Sequence, residues 1–228
     1  MNQNETLRAL DELIRSRSIL NHPFYQAWQK GELNRDQLAI YAKSYYPHVA
    51  SFPEYLQTAA AKAENRTVRS ELESNLADEL SNPAPHPELW LSFASGVGAD
   101  AKAVSEALPT PSTSRTVSAF TQLAQGKTAE ALSALYAYES QQPAVSKTKM
   151  EGLQKFYGVS DSGTLSYFAV HAEKDVEHSE GEQRALMQCL ADGSSPATIL
   201  ASANKALDAY WGLLDGICEE AGIHCSSK

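Results

Sequence analysis

YFAVHAEKDVEH, residues 167–178, carries His171, Asp175 and His178 at i, i+4 and i+7. At 3.6 residues per turn that spacing puts all three side chains on one face of a helix. The two histidines stand about 10.5 Å apart along the axis, too far for one small ion, and Asp175 lies between them where it could bridge two. Apolar residues flank the stripe, with Phe168 and Val170 before it and Ala185 and Leu186 after it, while Glu173, Lys174, Glu177 and Glu180 supply a separate charged face. Asp175 and His178 form the carboxylate-x-x-His pair with which helix bundles aim two ligands inward. Alone, such a stripe also describes a salt-bridged surface. Glu182 continues it by one turn, and the sequence does not decide between a further ligand, a supporting group and a surface residue.

Other segments supply matching groups. Glu79 and His86 are separated by Asn82-Pro83-Ala84-Pro85, which ends one helix near Ser81 and restarts the chain at a new angle. A turn there can return His86 toward Glu79. Glu139 lies in ALYAYESQQP, residues 134–143, where Pro143 cannot donate to the Glu139 carbonyl, so the spacing predicts a kink at that residue. The six side chains Glu79, His86, Glu139, His171, Asp175 and His178 are therefore candidate ligands of a dinuclear metal site. Imidazole and carboxylate donors suit iron(II) and manganese(II), whereas a thiolate set would suit zinc.

The remaining chain reads as helix throughout, in segments 4–17, 23–30, 34–63, 65–81, 86–95, 98–107, 113–125, 127–141, 143–157, 161–190 and 195–221. Asn4 and Asn65 stand as N-caps, and Gly31, Gly126, Gly158, Gly193 and Gly222 fall near helix ends. LPTPSTSR, residues 108–115, is the most loop-like stretch and is too short for a domain linker. Residues 1–228 thus read as a single all-α domain. Leu38, Tyr41, Tyr45, His48, Phe52 and Tyr55 recur every three or four residues, an inward stripe with polar tips. Tyr25, Tyr41, Tyr138 and Tyr167 each fall near a candidate ligand or on a helix facing one; buried tyrosines are ordinary, but phenols beside an oxidising metal centre are readily oxidised.

A net charge of −9 and a pI near 5.2, without any Lys/Arg run, argue against a nucleic-acid or anionic-membrane surface. No apolar run reaches the length of a membrane span, and MNQNETLRALDELIRS opens as an acidic amphipathic helix rather than an export signal, so a cytoplasmic protein is expected. Cys189, Cys218 and Cys225 form no CxxC pair, which argues against a disulfide framework or thiolate metal site; Cys189 and Cys218 read as small core residues and Cys225 as part of a tail.

The order Glu-x6-His, then Tyr-Glu, then His-x3-Asp-x2-His resembles the haem-oxygenase-like dimetal oxidases, and within them the CADD-like p-aminobenzoate synthases. HPFYQAW (22–28), GELNRDQLAIYAKSYY (31–46), YES (138–140) and YFAVHAEKDVEH carry the likeness. The resemblance implies a single haem-oxygenase-like bundle of about seven helices holding two metal ions, iron with iron or manganese with iron, and no haem. It also implies a self-sacrificing dimetal oxygenase for folate biosynthesis, single-turnover, using O2 and an external reductant. Tyr25 corresponds to the consumed tyrosine, so the substrate is the protein's own side chain. Lys149 corresponds to the amino donor, and Tyr41, Tyr138 and Tyr167 to other tyrosines of the pocket.

A donor lysine must be deprotonated, so Lys149 should sit in an apolar or cationic environment. On a straight helix it would point about 80° away from Glu139. Rival readings are a dimetal oxidase acting on an external substrate (an amine N-oxygenase or oxidative decarboxylase), a metal-free thiaminase-like or quinone-cofactor-forming enzyme, and a protein-interaction module. The oligomeric state is left open, a homodimer included.

Overall fold

The computed structural model describes residues 1–81 and 83–224, and among them the regular elements are helical. They are α1 (Gln3–Ser16), a 3-10 turn (Ile19–Asn21), α2 (Pro23–Lys30), α3 (Arg35–Lys62), α4 (Arg66–Ser81), α5 (His86–Gly96), α6 (Ala101–Ser105), α7 (Pro111–Gln125), α8 (Thr128–Glu139), α9 (Gln142–Phe156), α10 (Ser162–Ala191) and α11 (Pro196–Glu220). This corrects the expected seven: ten of these helices have eight residues or more, and α6 has five. Proline makes the difference. Five helices carry it in their first turn, where its missing N–H costs nothing and its fixed φ starts a new helix. Each such start divides what a lower count would treat as one segment.

Local signals account for most ends. Asn34 and Gln37 form a capping box that opens α3, and Asp161 accepts from the Thr164 N–H to open α10. Asn65 Oδ1 accepts from the Thr67 and Val68 N–H groups ahead of α4. The first cap differs from expectation. Asn2, not Asn4, caps α1, because Glu5 lies three residues after Asn2 and completes a reciprocal box. LPTPSTSR is half helix, since Pro111 is the first residue of α7 and Thr110 its cap. Pro143 produces a break rather than a kink: α8 ends at Glu139, and α9 restarts at Gln142 with proline in its first turn.

The long helices α3 and α10 organise the bundle. α10 packs against α1, α4, α5, α8 and α9, while α3 packs against α4, α5, α7 and α8. Leu38, Tyr41, Tyr45, His48, Phe52 and Tyr55 are all buried along α3, which continues through Pro47 and Pro53. Trp90 of α5 donates its indole N–H to the Ala42 carbonyl at 2.7 Å, locking α5 against α3. Cys189 is a buried free thiol. Cys218 is buried and disulfide-bonded, which corrects the expectation that it packs only as a small core residue; Cys225 lies outside the described residues. Among the described residues no helix is long and apolar enough to cross a membrane.

Glycine brings α2 and α9 together. A Cβ at Gly152 would stand 2.4 Å from Trp28 Nε1, so only hydrogen lets the indole lie across α9 and donate to the Lys149 carbonyl at 3.3 Å. Gly31 ends α2 in the left-handed region at φ 69°, with its α-carbon against Phe156. Gly152→Ala should force the two helices apart at a cost of about 1–3 kcal/mol. Urea unfolding measures it; unchanged stability would mean that Trp28 moves aside freely.

Candidate metal centre

All six groups read from the sequence are buried, and they converge from four helices. Glu79 comes from the last turn of α4, His86 from the first residue of α5, Glu139 from the end of α8, and His171, Asp175 and His178 from the middle of α10. Two clusters result, Glu79–His86–His171 and Glu139–Asp175–His178, each with its donor atoms within 4.8 Å of one another. Donors about 2.1 Å from a shared ion lie up to about 4.2 Å apart, so small side-chain adjustments close either cluster. The proline turn does bring His86 back: its Nδ1 is 2.9 Å from Glu79 Oε1. Asp175 falls in the second cluster, and its charge also acts on His171 of the first.

The second ring nitrogens are tied down. His171 Nδ1 donates to the Tyr167 carbonyl at 2.7 Å, leaving Nε2 facing Glu79 at 3.7 Å. His178 Nε2 lies 3.0 Å from Asp78 Oδ2, with Nδ1 facing Asp175 at 3.3 Å and Glu139 at 3.5 Å. Carbonyl and carboxylate partners of this kind fix the tautomer and ring orientation of metal-binding histidines. Asn75 donates to both Glu139 oxygens at 2.9 and 3.1 Å.

Burial opposes charge at every one of these groups, and the outcomes differ. It raises the Asp175 carboxyl to about 6 and pushes Glu182 well up, with Glu139's charge adding to the effect on Glu182. Burial would also raise Glu79, but hydrogen bonds from His171 and His86 overcome it and hold Glu79 at about 2. Burial would lower His171 and His178; the carboxylates facing them win and raise the pair to about 9 and about 11. Protons on imidazole thus stand where cations would balance the carboxylates. Neither oxygen of Glu182 has a hydrogen-bond partner, and Asp175 Oδ1 and His178 Nδ1 stand in ion-pair contact at 3.3 Å without a well-formed hydrogen bond. Unpartnered donor atoms in a hard nitrogen and oxygen set fit two divalent ions of the iron and manganese class.

Lys149 and the tyrosines form an adjoining chamber. Nζ lies 5.0–5.6 Å from the ring centres of Phe168, Tyr41, Tyr45, Trp90 and Tyr25. The side chain is 2% exposed, and desolvation holds its pKa well below the usual lysine value. Sequence geometry set Lys149 away from Glu139 on an unbroken helix, but the chain breaks between them and both are buried. The hydroxyls of Tyr25 and Tyr41 are buried without a hydrogen-bond partner. Tyr138 and Tyr167 border the clusters: with Glu79, Glu139, His171 and Asp175 they line a cavity of about 10 Å³.

Aromatic contacts join chamber and clusters. The Tyr167 ring stacks on His171 at 4.1 Å and meets Trp90 at 4.8 Å, while the Tyr138 and Tyr45 hydroxyls are 2.9 Å apart. Tyr45 and Trp90, which touch both regions, had no assigned part in the sequence reading, although Tyr45 stands on the inward stripe of α3. Asn75 and Asp78 were also missed. Asn75 precedes Glu79 by one helical turn and was findable, whereas nothing in the sequence distinguishes Asp78 from a surface acid.

Residues 39–211 match the model of a family described as iron-containing redox enzymes. The chain belongs to that family, and it is an enzyme. It is 35% identical to the 4-aminobenzoate synthase of Nitrosomonas europaea over 100% of this chain and 98% of the relative. It is also 35% identical to the 4-aminobenzoate synthase of Chlamydia muridarum, covering 96% of this chain and 93% of the relative. A solved structure of a CADD-like protein of unknown function from Nostoc punctiforme superposes with a TM-score of 0.76 at 20% identity, covering 96% of this chain and 98% of that one. At that identity the likeness speaks for the fold, haem-oxygenase-like and all-helical.

Raised imidazole pKa values make the metal-free fold sensitive to alkali. His171 and His178 bind protons more tightly folded than unfolded, so their contribution is complete below pH about 6.5 and is lost as pH rises through about 9 and then about 11. Thermal melts of metal-free protein should show Tm falling between pH 7 and about 10. Protein loaded with manganese(II), its imidazoles already deprotonated by the ion, should fall less. A metal-free Tm that does not change over this range would contradict the pairing.

Proposed function

We propose that this enzyme makes p-aminobenzoate from its own Tyr25, with Lys149 as the source of nitrogen. Glu79, His86 and His171 would hold one ion and Glu139, Asp175 and His178 the other. Bound there, the pair would supply the activation of O2, drawing electrons from an external reductant, that oxidation of a phenol requires.

The observation that carries the reading is the chamber. Tyr25 and Lys149 are buried side by side among aromatic rings, and the cavity bordering the clusters, about 10 Å³, has room for about one water molecule. That volume suits O2 and leaves no place for a fatty acid or an amino-acid-sized amine. Of the larger depressions, those of about 700, 450 and 290 Å³ are lined by none of the six candidate ligands, and the cleft of about 160 Å³ meets one of them, His178, from outside. An external-substrate oxidase is therefore less well supported than a substrate built into the chain. The relatives named 4-aminobenzoate synthase support the same product.

The residues divide the work. The ring and Cβ of Tyr25 would become the carbon skeleton of the product. Lys149, whose pKa burial lowers, would present a nitrogen lone pair to the oxidised ring once deprotonated. Fixing donor and acceptor in one dry chamber replaces a diffusional encounter by proximity. Tyr138, Tyr45 and Tyr167 supply phenols between the clusters and Tyr25, with Tyr41 closing the chamber against Lys149.

The test is aerobic incubation of iron- or manganese-loaded protein with a reductant and no organic substrate, followed by assay for p-aminobenzoate and mass analysis of the peptides bearing Tyr25 and Lys149. Product should appear at no more than one equivalent per chain, with mass lost at both residues. Tyr25→Phe and Lys149→Met should reduce it to background. Full product from Tyr25→Phe, or strict dependence on an added organic substrate, would overturn the reading.

A further inference from the structure

Glu182 is the group that the six-residue set leaves unexplained. It sits on α10 one turn beyond His178 and on the same face, 3% exposed, and neither carboxylate oxygen receives a hydrogen bond. A buried carboxylate without donors is costly unless a cation compensates it. Glu182 also lines a cleft of about 160 Å³ that leads to the surface beside α4. His178 shares that lining with Asp78, Glu71, Glu177 and Arg184, where Arg184 pairs with Glu71 and Lys174 reaches Asp78 and Glu177, whereas Glu139 and Asp175 line the inner cavity.

Charge and donor number point the same way. With neutral imidazoles, the three carboxylates Glu79, Glu139 and Asp175 leave two divalent ions with one excess positive charge in the core. A fourth carboxylate cancels it. Each cluster has three donors, fewer than these ions usually take, and it is the second that Glu182 adjoins, in the lining it shares with His178.

Building on the dinuclear reading above, we propose that Glu182 is a seventh metal ligand, completing the Glu139–Asp175–His178 half-site from the floor of that cleft. The half-sites then differ in kind. The first has one carboxylate and two imidazoles, and the second has three carboxylates and one imidazole. The harder, carboxylate-rich half-site would favour manganese(II) over iron(II) more than its partner does. An ion entering by the cleft meets Glu182 and His178 first.

Equilibrium dialysis of the full chain against manganese(II), read by metal analysis and by manganese electron paramagnetic resonance, tests this without any assay of product. Wild type should bind two ions with a spin-coupled signal. Glu182→Gln keeps the shape and removes the charge. It should hold the first ion normally, lose about 10–100-fold in affinity for the second, and show an uncoupled signal. Its metal-free form should melt close to wild type, because the amide replaces a carboxyl whose charged form burial already disfavours. Two ions bound by Glu182→Gln with wild-type affinity and coupling would overturn the assignment. If that variant does not fold, Glu182→Asp decides. Its shorter stem keeps the charge, so weakened second-ion binding supports ligation and unchanged binding overturns it. Fewer than two ions in wild type would instead sink the dinuclear reading itself.

Discussion

The desolvation of charge at the centre of the bundle is the constraint from which the rest follows. Four carboxylates, Glu79, Glu139, Asp175 and Glu182, are withdrawn from water along with His86, His171 and His178. Water cannot screen them, and few hydrogen-bond donors reach them. Protonated imidazoles offset part of the charge in the metal-free chain; two divalent ions held there would offset it fully and release those protons. A core designed only for stability would hold apolar side chains here. The helices α4, α5, α8 and α10 are instead joined through groups that favour a counter-charge, so metal binding at the candidate clusters would be linked to folding.

The neighbouring chamber follows the opposite rule and uses burial without compensation. Lys149 has aromatic faces for neighbours and no carboxylate within salt-bridge reach among the described residues, so the low dielectric holds its pKa well below the usual lysine value. Gly152 and Trp28 draw α9 onto α2 and so set Lys149 beside Tyr25. The proposed reaction would need oxidising equivalents and a free amine in the same place but under different electrostatic conditions. The tyrosines and Trp90 between clusters and chamber keep the two environments apart at ring-contact distances.

Much of this was legible in the residues. The i, i+4, i+7 stripe on α10 gave the inward face directly, because helical periodicity is local. The Pro83–Pro85 segment gave the return of His86, because proline forbids continuation. Glu182 lay on the same stripe, but burial is a property of the packed bundle, and so its role could not be read. The effect of Pro143 was underestimated: the sequence read a kink, and the chain breaks, which also removed the apparent conflict between Glu139 and Lys149. Asp78 and Trp90 act across helices far apart in sequence, and no spacing rule reports such contacts. The count of about seven helices failed for a simple reason, that first-turn prolines divide segments a coarser description joins.

The central claim is that buried carboxylates and imidazoles from four helices grip two separate ions. Anomalous diffraction from crystals of protein loaded with iron and manganese, collected above and below each metal's absorption edge, tests it most directly. Two peaks are expected inside the bundle, one between Glu79, His86 and His171 and one between Glu139, Asp175 and His178. A single peak, or none within reach of these side chains, would contradict the account.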